Sequence, residues 1–91
     1  MGHEREERRR MERYILGELT EEEQERMEIA YFLDPSRMAK LWSVFDEMAR
    51  DYLRGRMPFV CASKFEHRLA SSPALNRRVR KLAASREEND E

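Results

Sequence analysis

The chain has 91 residues, enough for one small domain, since domains run upward from about 50 residues, and too few for a two-domain enzyme. Charged side chains make up 41%, yet 18 Lys and Arg nearly cancel 19 Asp and Glu, and 40% of the residues are apolar; disorder needs unbalanced charge and few apolar residues, so it is excluded. Three glycines, three prolines and an alphabet rich in Glu, Arg, Leu, Met and Ala predict an all-α fold. One cysteine, Cys61, excludes an intramolecular disulfide and a Cys-rich zinc site and fits a reducing compartment. The start lacks the apolar stretch of a signal peptide, and no run approaches the roughly 18 apolar residues of a membrane span. A cytoplasmic protein is the expectation, with no membrane segment in this chain.

Residues 1–10 alternate acid and base with no apolar residue after Met1, which predicts a charged, solvated extension or a frayed helical one. Met11, Tyr14 and Ile15 then stand at helical spacing and stop at Gly17, so a first helix is expected over about 4–16. Thr20 followed by Glu21, Glu22 and Glu23 is a capping box, with three acids at the positive end of the helix dipole. The second helix runs to about Leu33 and is expected to bury Met27, Ala30 and Tyr31, with Leu33 or Phe32 at its end. Asp34-Pro35 restarts the chain as cap and first-turn proline. At 100° per residue, Met38, Leu41, Trp42, Val44, Phe45, Met48, Ala49, Tyr52 and Leu53 fall on one face of the third helix, and Lys40, Ser43, Asp46, Glu47, Arg50 and Asp51 on the other. At about 20 residues this helix spans about 30 Å and forms a spine. Gly55 ends it, Pro58 opens a fourth helix (about 58–70), and Ser72-Pro73 opens a fifth (about 73–84). Residues 86–91 are expected to be an acidic tail.

Sliding the chain by 38 positions superposes its punctuation. Tyr14 falls on Tyr52, Gly17 on Gly55, Glu28 on Glu66 and Pro35 on Pro73, with Met27 on Phe65, Asp34 on Ser72 and Leu41 on Val79 between them. Two repeat units, about 14–51 and 52–85, thus share the long central helix. The expected architecture is a compact bundle of four to five helices forming one domain over residues 11–85. Charge divides along the same axis: residues 1–54 carry 10 basic and 14 acidic side chains, net −4, and residues 55–86 carry 8 basic and 1 acidic, net +7.

Groups able to converge for catalysis are few. His3 and His67 are far apart, and Cys61 and His67, six positions apart, do not share a helix face cleanly. Glycine-rich phosphate loops, His-Glu-x-x-His and a serine elbow are missing. The expectation is a non-enzymatic protein without metal or cofactor. Its candidate partner-binding residues are Tyr31, Trp42, Val44, Phe59 and Val60; with Phe32 these are apolar residues beyond the narrowest core, which serve as contacts where exposed and as core where buried. Arg77, Arg78, Arg80 and Lys81 add a basic run suited to an acidic protein, or, as a weaker reading, to nucleic acid.

The residues Tyr14, Gly17, Glu18, Leu19, Thr20, Glu22 and Glu23, followed by Met27-Glu28 and Leu33-Asp34-Pro35, resemble the repeat unit of bacterial anti-sigma domains of the zinc-finger type. Tyr52, Gly55, Met57, Phe65-Glu66 and Ser71-Ser72-Pro73 resemble it a second time. The metal positions of that family fall on Ala30, Asp34 and Arg37, and on Arg68, Ser72 and Leu75, which are no ligand set for tetrahedral zinc. The resemblance is therefore to zinc-less members, in which the caps at Asp34 and Ser72 hold the junctions. It implies a cytoplasmic protein that binds an extracytoplasmic-function-type RNA polymerase sigma factor and occludes its surfaces sterically, with Trp42 and Phe59 as anchors. Family members often continue into a transmembrane helix and a sensor domain; with the sequence ending at Glu91, a soluble signal or a fragment is implied. A self-associating or adaptor helical module is the alternative.

Overall fold

The computed structural model describes the backbone of residues 2–89 and the side chains of residues 5–85. It is an all-α fold of five helices with no strand among the described residues: α1 (Gly2–Ile15), α2 (Glu21–Phe32), α3 (Pro35–Leu53), α4 (Phe59–Ser71) and α5 (Pro73–Asn89). Two compact units divide the chain, Met1–Phe45 and Asp46–Glu91, with α3 contributing its first part to one and its last part to the other.

Local chemistry explains each boundary. Gly17 and Gly55 take the left-handed conformation, φ 73° and 69°, and close matching helix ends. The Gly17 amide donates to the Tyr14 carbonyl at 3.1 Å and Glu18 to Arg13 at 2.8 Å, while Gly55 donates to Tyr52 at 3.1 Å and Arg56 to Asp51 at 2.8 Å. These paired bonds are Schellman motifs, which satisfy carbonyls left over at a helix end. At the start of α2 the Glu23 amide donates to Thr20 Oγ1 at 3.2 Å and the Thr20 amide to Glu23 Oε1 at 3.1 Å. That bond from the Thr20 amide, aided by the Thr20 hydroxyl, holds the Glu23 carboxyl below its ordinary range. Asp34 caps α3 through the amides of Ser36 and Arg37, at 3.0 and 3.4 Å, and Ser72 Oγ accepts from the Leu75 amide at 3.5 Å. Pro58 precedes α4 without a side-chain cap, because proline stands where the first repeat has Thr20.

The cores repeat at the same interval. Met11, Ile15, Met27, Tyr31 and Leu41 are buried, and their counterparts Ala49, Phe65, Leu69 and Val79 are buried too; Leu53, the counterpart of Ile15, is half-buried. In the first unit, Tyr14 Oη donates to Glu28 Oε1 at 3.1 Å and Tyr31 Oη to Glu7 Oε1 at 3.2 Å, joining α1 to α2. In the second, Tyr52 Oη donates to Glu66 Oε1 at 2.9 Å, the same bond one repeat later, and the Tyr52 ring tilts on Phe65 at 5.2 Å. Arg78 grips Asp46 through two bonds, Nε to Oδ1 at 2.7 Å and Nη2 to Oδ2 at 2.9 Å, joining α5 to α3, and α4 packs on α5.

Of the two readings of the charged N-terminus the helical one holds: α1 starts at Gly2 and Glu7 is hydrogen-bonded, because helix-forming Glu and Arg extend α1 beyond its amphipathic part. Three expectations are corrected. Helix α5 runs to Asn89, since no glycine or proline interrupts it after Pro73; residues 90–91 of the expected acidic tail, and the side chain of His3, lie outside what is described. Asp46, assigned to the solvent face, is half-buried by its pairing with Arg78. Phe32 and Leu33 do not close the core of α2: both are exposed, Leu33 at 81%.

Candidate interaction surface

Helix α2 is apolar on two sides. Met27 and Tyr31, one turn apart, are buried in the first unit. Ile29, Phe32 and Leu33 project on the opposite side and are all exposed. At 100° per residue these three fall within an arc of about 100° centred almost opposite Met27 and Tyr31. Spacing of i, i+3 and i+4 is the pattern by which a helix anchors in another protein's groove. Leu33, although the last residue, keeps helical backbone angles, and its amide donates to the Tyr31 carbonyl.

Against this surface, the candidates from the sequence separate. Tyr31 and Val44 are buried core, so they are removed from the contact surface: Tyr31 stands on the inward side of α2, and Val44 is enclosed with Leu41 and Phe45 along α3. Trp42 is half-buried and meets the Phe45 ring edge-on at 5.7 Å and 84°. Phe59, at 86%, and Val60 are exposed at the start of α4, in the second unit. Arg77, Arg80 and Lys81 form an exposed stripe on α5 while Val79 between them is buried. Arg78 is committed to Asp46, whose hydrogen bond raises the guanidinium pKa further; it is a structural residue within the basic run. Cys61 is half-buried and His67 exposed on α4.

Of Ile29, Phe32 and Leu33, Phe32 is one of the apolar residues that the sequence places beyond the narrowest core; nothing in the sequence reading singles out Ile29, and Leu33 stands there only as a helix end. The second apolar arc is a property of the sequence of residues 21–33 at 100° per residue. No helix among the described residues is long and apolar enough to cross a membrane, and no group of three or more metal-ligating side chains gathers among them. Neither a protein-family model, nor a curated protein, nor a solved structure matches the chain.

Proposed function

We propose that this chain is a non-enzymatic protein-binding module that lays the outer face of α2 into an apolar groove of its partner. The carrying observation is the opposition of two apolar faces on one helix: Met27 and Tyr31 face their own unit, and Ile29, Phe32 and Leu33 have no cover. Exposed clusters of large apolar side chains mark contact sites. Phe59 and Val60 offer a second contact, and the Arg77, Arg80 and Lys81 stripe favours an acidic partner by speeding association and selecting against cationic ones.

The motif likeness narrows the partner to an extracytoplasmic-function-type sigma factor, sequestered in the cytoplasm by steric occlusion. What supports that choice is the twice-occurring Tyr, Gly-stop and Glu pattern, whose tyrosine and glutamate are hydrogen-bonded in both repeats. Co-expression with the sigma factors of the source organism, followed by pull-down and a promoter assay, is the test. The expected result is capture of one sigma factor and lowered transcription from its promoter, both lost in F32E/L33E. No captured sigma factor and unchanged promoter activity would retire the sigma reading. Retention of binding in F32E/L33E would retire the α2 surface. A gel shift whose affinity falls steeply with salt and is lost in R77Q/R80Q/K81Q would move the function to nucleic acid.

A further inference from the structure

The first unit contains a cleft of about 490 Å³ that the repeat does not require. Its lining combines Met27, Ala30 and Tyr31 with the cations Arg10, Arg26, Arg37 and Lys40 and the acids Glu7 and Glu23. Both carboxylates are engaged: Glu7 accepts from the Tyr31 hydroxyl and Glu23 from the Thr20 amide. Four cations therefore face two acids, each with one oxygen committed to a bond within the fold.

At the 38-residue offset two of the four cations, Arg10 and Arg37, have no charged counterpart, whereas Arg26 and Lys40 correspond to Lys64 and Arg78. Glu7, Arg10 and Arg37 correspond to Phe45, Met48 and Leu75. Phe45 and Met48 are buried and Leu75 is half-buried, so these three corresponding positions are apolar where the cleft is lined with charge. Lys40 corresponds to Arg78, which Asp46 neutralises. The position matching Asp46 is Arg8, so the anion that would balance Lys40 is replaced by another cation. Among the described residues, Lys40 and Arg10 make no ion pair. The pairs held by the other two, Arg26 with Glu22 at 3.3 Å and Arg37 with Asp34 at 3.5 Å, lie at the surface, where such pairs contribute little and exchange readily. Arg37 also rests over the Tyr31 ring, 6.0 Å from its centre to the guanidinium carbon, which limits how far it can swing.

We propose that this cleft binds a small polyphosphate anion, with Arg10 and Lys40 as its principal ligands and Arg26 and Arg37 closing from the sides. Three guanidinium forks suit the tetrahedral oxygens of phosphate, which they contact through two donors at once, better than they suit single carboxylates spaced along a peptide. A volume of a few hundred Å³ suits a small ligand. The site is independent of the α2 contact face, whose residues point away from Met27 and Tyr31, so it stands or falls separately from the protein-binding reading.

Calorimetric titration and amide NMR of the full chain with inorganic pyrophosphate test this. Saturable binding is expected, with shifts concentrated at residues 7–10, 26–31 and 37–40 and at least a tenfold loss of affinity in R10Q/K40Q. Both substituted residues are exposed, and an unchanged melting temperature verifies the fold of the variant. Adenosine triphosphate in a parallel titration separates the sources: tighter binding than pyrophosphate assigns a nucleotide, and equal binding assigns the free anion. Absence of binding at millimolar pyrophosphate, shifts confined to residues 77–81, or unchanged affinity in R10Q/K40Q would each overturn the site. Tighter binding of a glutamate-rich peptide to the same residues would overturn it in favour of an acidic protein segment.

Discussion

Tyr14 and Tyr52 perform the same task one repeat apart, each donating a hydrogen bond from its hydroxyl to a glutamate 14 positions ahead, at 3.1 and 2.9 Å. Their surroundings differ. The Glu28 carboxylate also accepts from Gln24 Nε2 at 3.1 Å in a half-buried setting, whereas the Tyr52–Glu66 bond is exposed. A hydrogen bond to a charged acceptor is worth more where water competes less. Tyr14→Phe is therefore expected to cost about 1 kcal/mol and Tyr52→Phe less, measured by urea unfolding; equal losses would mean that burial does not separate them. Tyr31 carries a pH signature. Burial first, then the Glu7 charge and its hydrogen bond, raise the phenol pKa above its ordinary value of 10.0. The folded state thus holds this proton more tightly than the unfolded chain. Its contribution is complete below pH 10 and is lost as pH rises through the folded value. Tyr31→Phe should flatten part of the alkaline fall in stability, read from thermal midpoints between pH 9 and 11. The coincidence of Tyr14 with Tyr52 and of Glu28 with Glu66 was legible from the 38-residue offset, but the bonds between them were not. Periodicity places residues on one helix, whereas these bonds cross between two.

Helix boundaries were the most legible feature, because each is set by side chains within a few residues of it. Thr20 with Glu23, Asp34 before Pro35, Ser72 before Pro73, and glycines 17 and 55 all act where their chemistry predicts. Two substitutions measure this. Thr20→Ala removes an acceptor for the Glu23 amide and should cost about 1 kcal/mol. Gly17→Ala and Gly55→Ala should each cost about 1–2 kcal/mol, from forcing an L side chain into the left-handed region. Nothing lies within 4 Å of an added Cβ at either position, so the two glycines should respond alike in thermal unfolding; unequal losses would mean that one turn is held by contacts as well as by conformation. Helix faces were less legible where two compete. Along α3, Leu41, Val44, Phe45, Met48 and Ala49 form one buried stripe, and a single apolar arc has one interpretation. Along α2 the apolar residues surround the axis, so sequence alone assigns either side to the core. Tertiary packing selects Met27 and Tyr31, the second of which bonds Glu7 of α1, and leaves Ile29, Phe32 and Leu33 outside.

The two units have like cores and unlike surfaces. Ile29, Phe32 and Leu33 correspond to His67, Ala70 and Ser71, and Phe59 and Val60 to Glu21 and Glu22. Each unit thus exposes apolar residues where the other does not. Matched pairs report the shared core, so the offset that reveals the repeat also conceals this divergence, which resides in the unmatched positions. The size of each patch decides what it can bind. A stable dimer of standard size buries about 800 Å² on each partner around a central apolar cluster, and three exposed side chains on one helix fall well short of that. A partner with a concave groove gains more, because it encloses the same side chains on several sides and contributes area of its own. The chain should therefore be a monomer of 11.0 kDa by light scattering at micromolar concentration, and F32E/L33E should leave both mass and melting temperature unchanged, since exposed substitutions usually alter stability by no more than about 0.5 kcal/mol. A mass that rises toward twice this value with concentration, and returns to the monomer in F32E/L33E, would show instead that the α2 face pairs with its own copy. In that outcome the self-associating module would replace the partner-capture reading, and any captured protein would have to compete with the dimer for Ile29, Phe32 and Leu33.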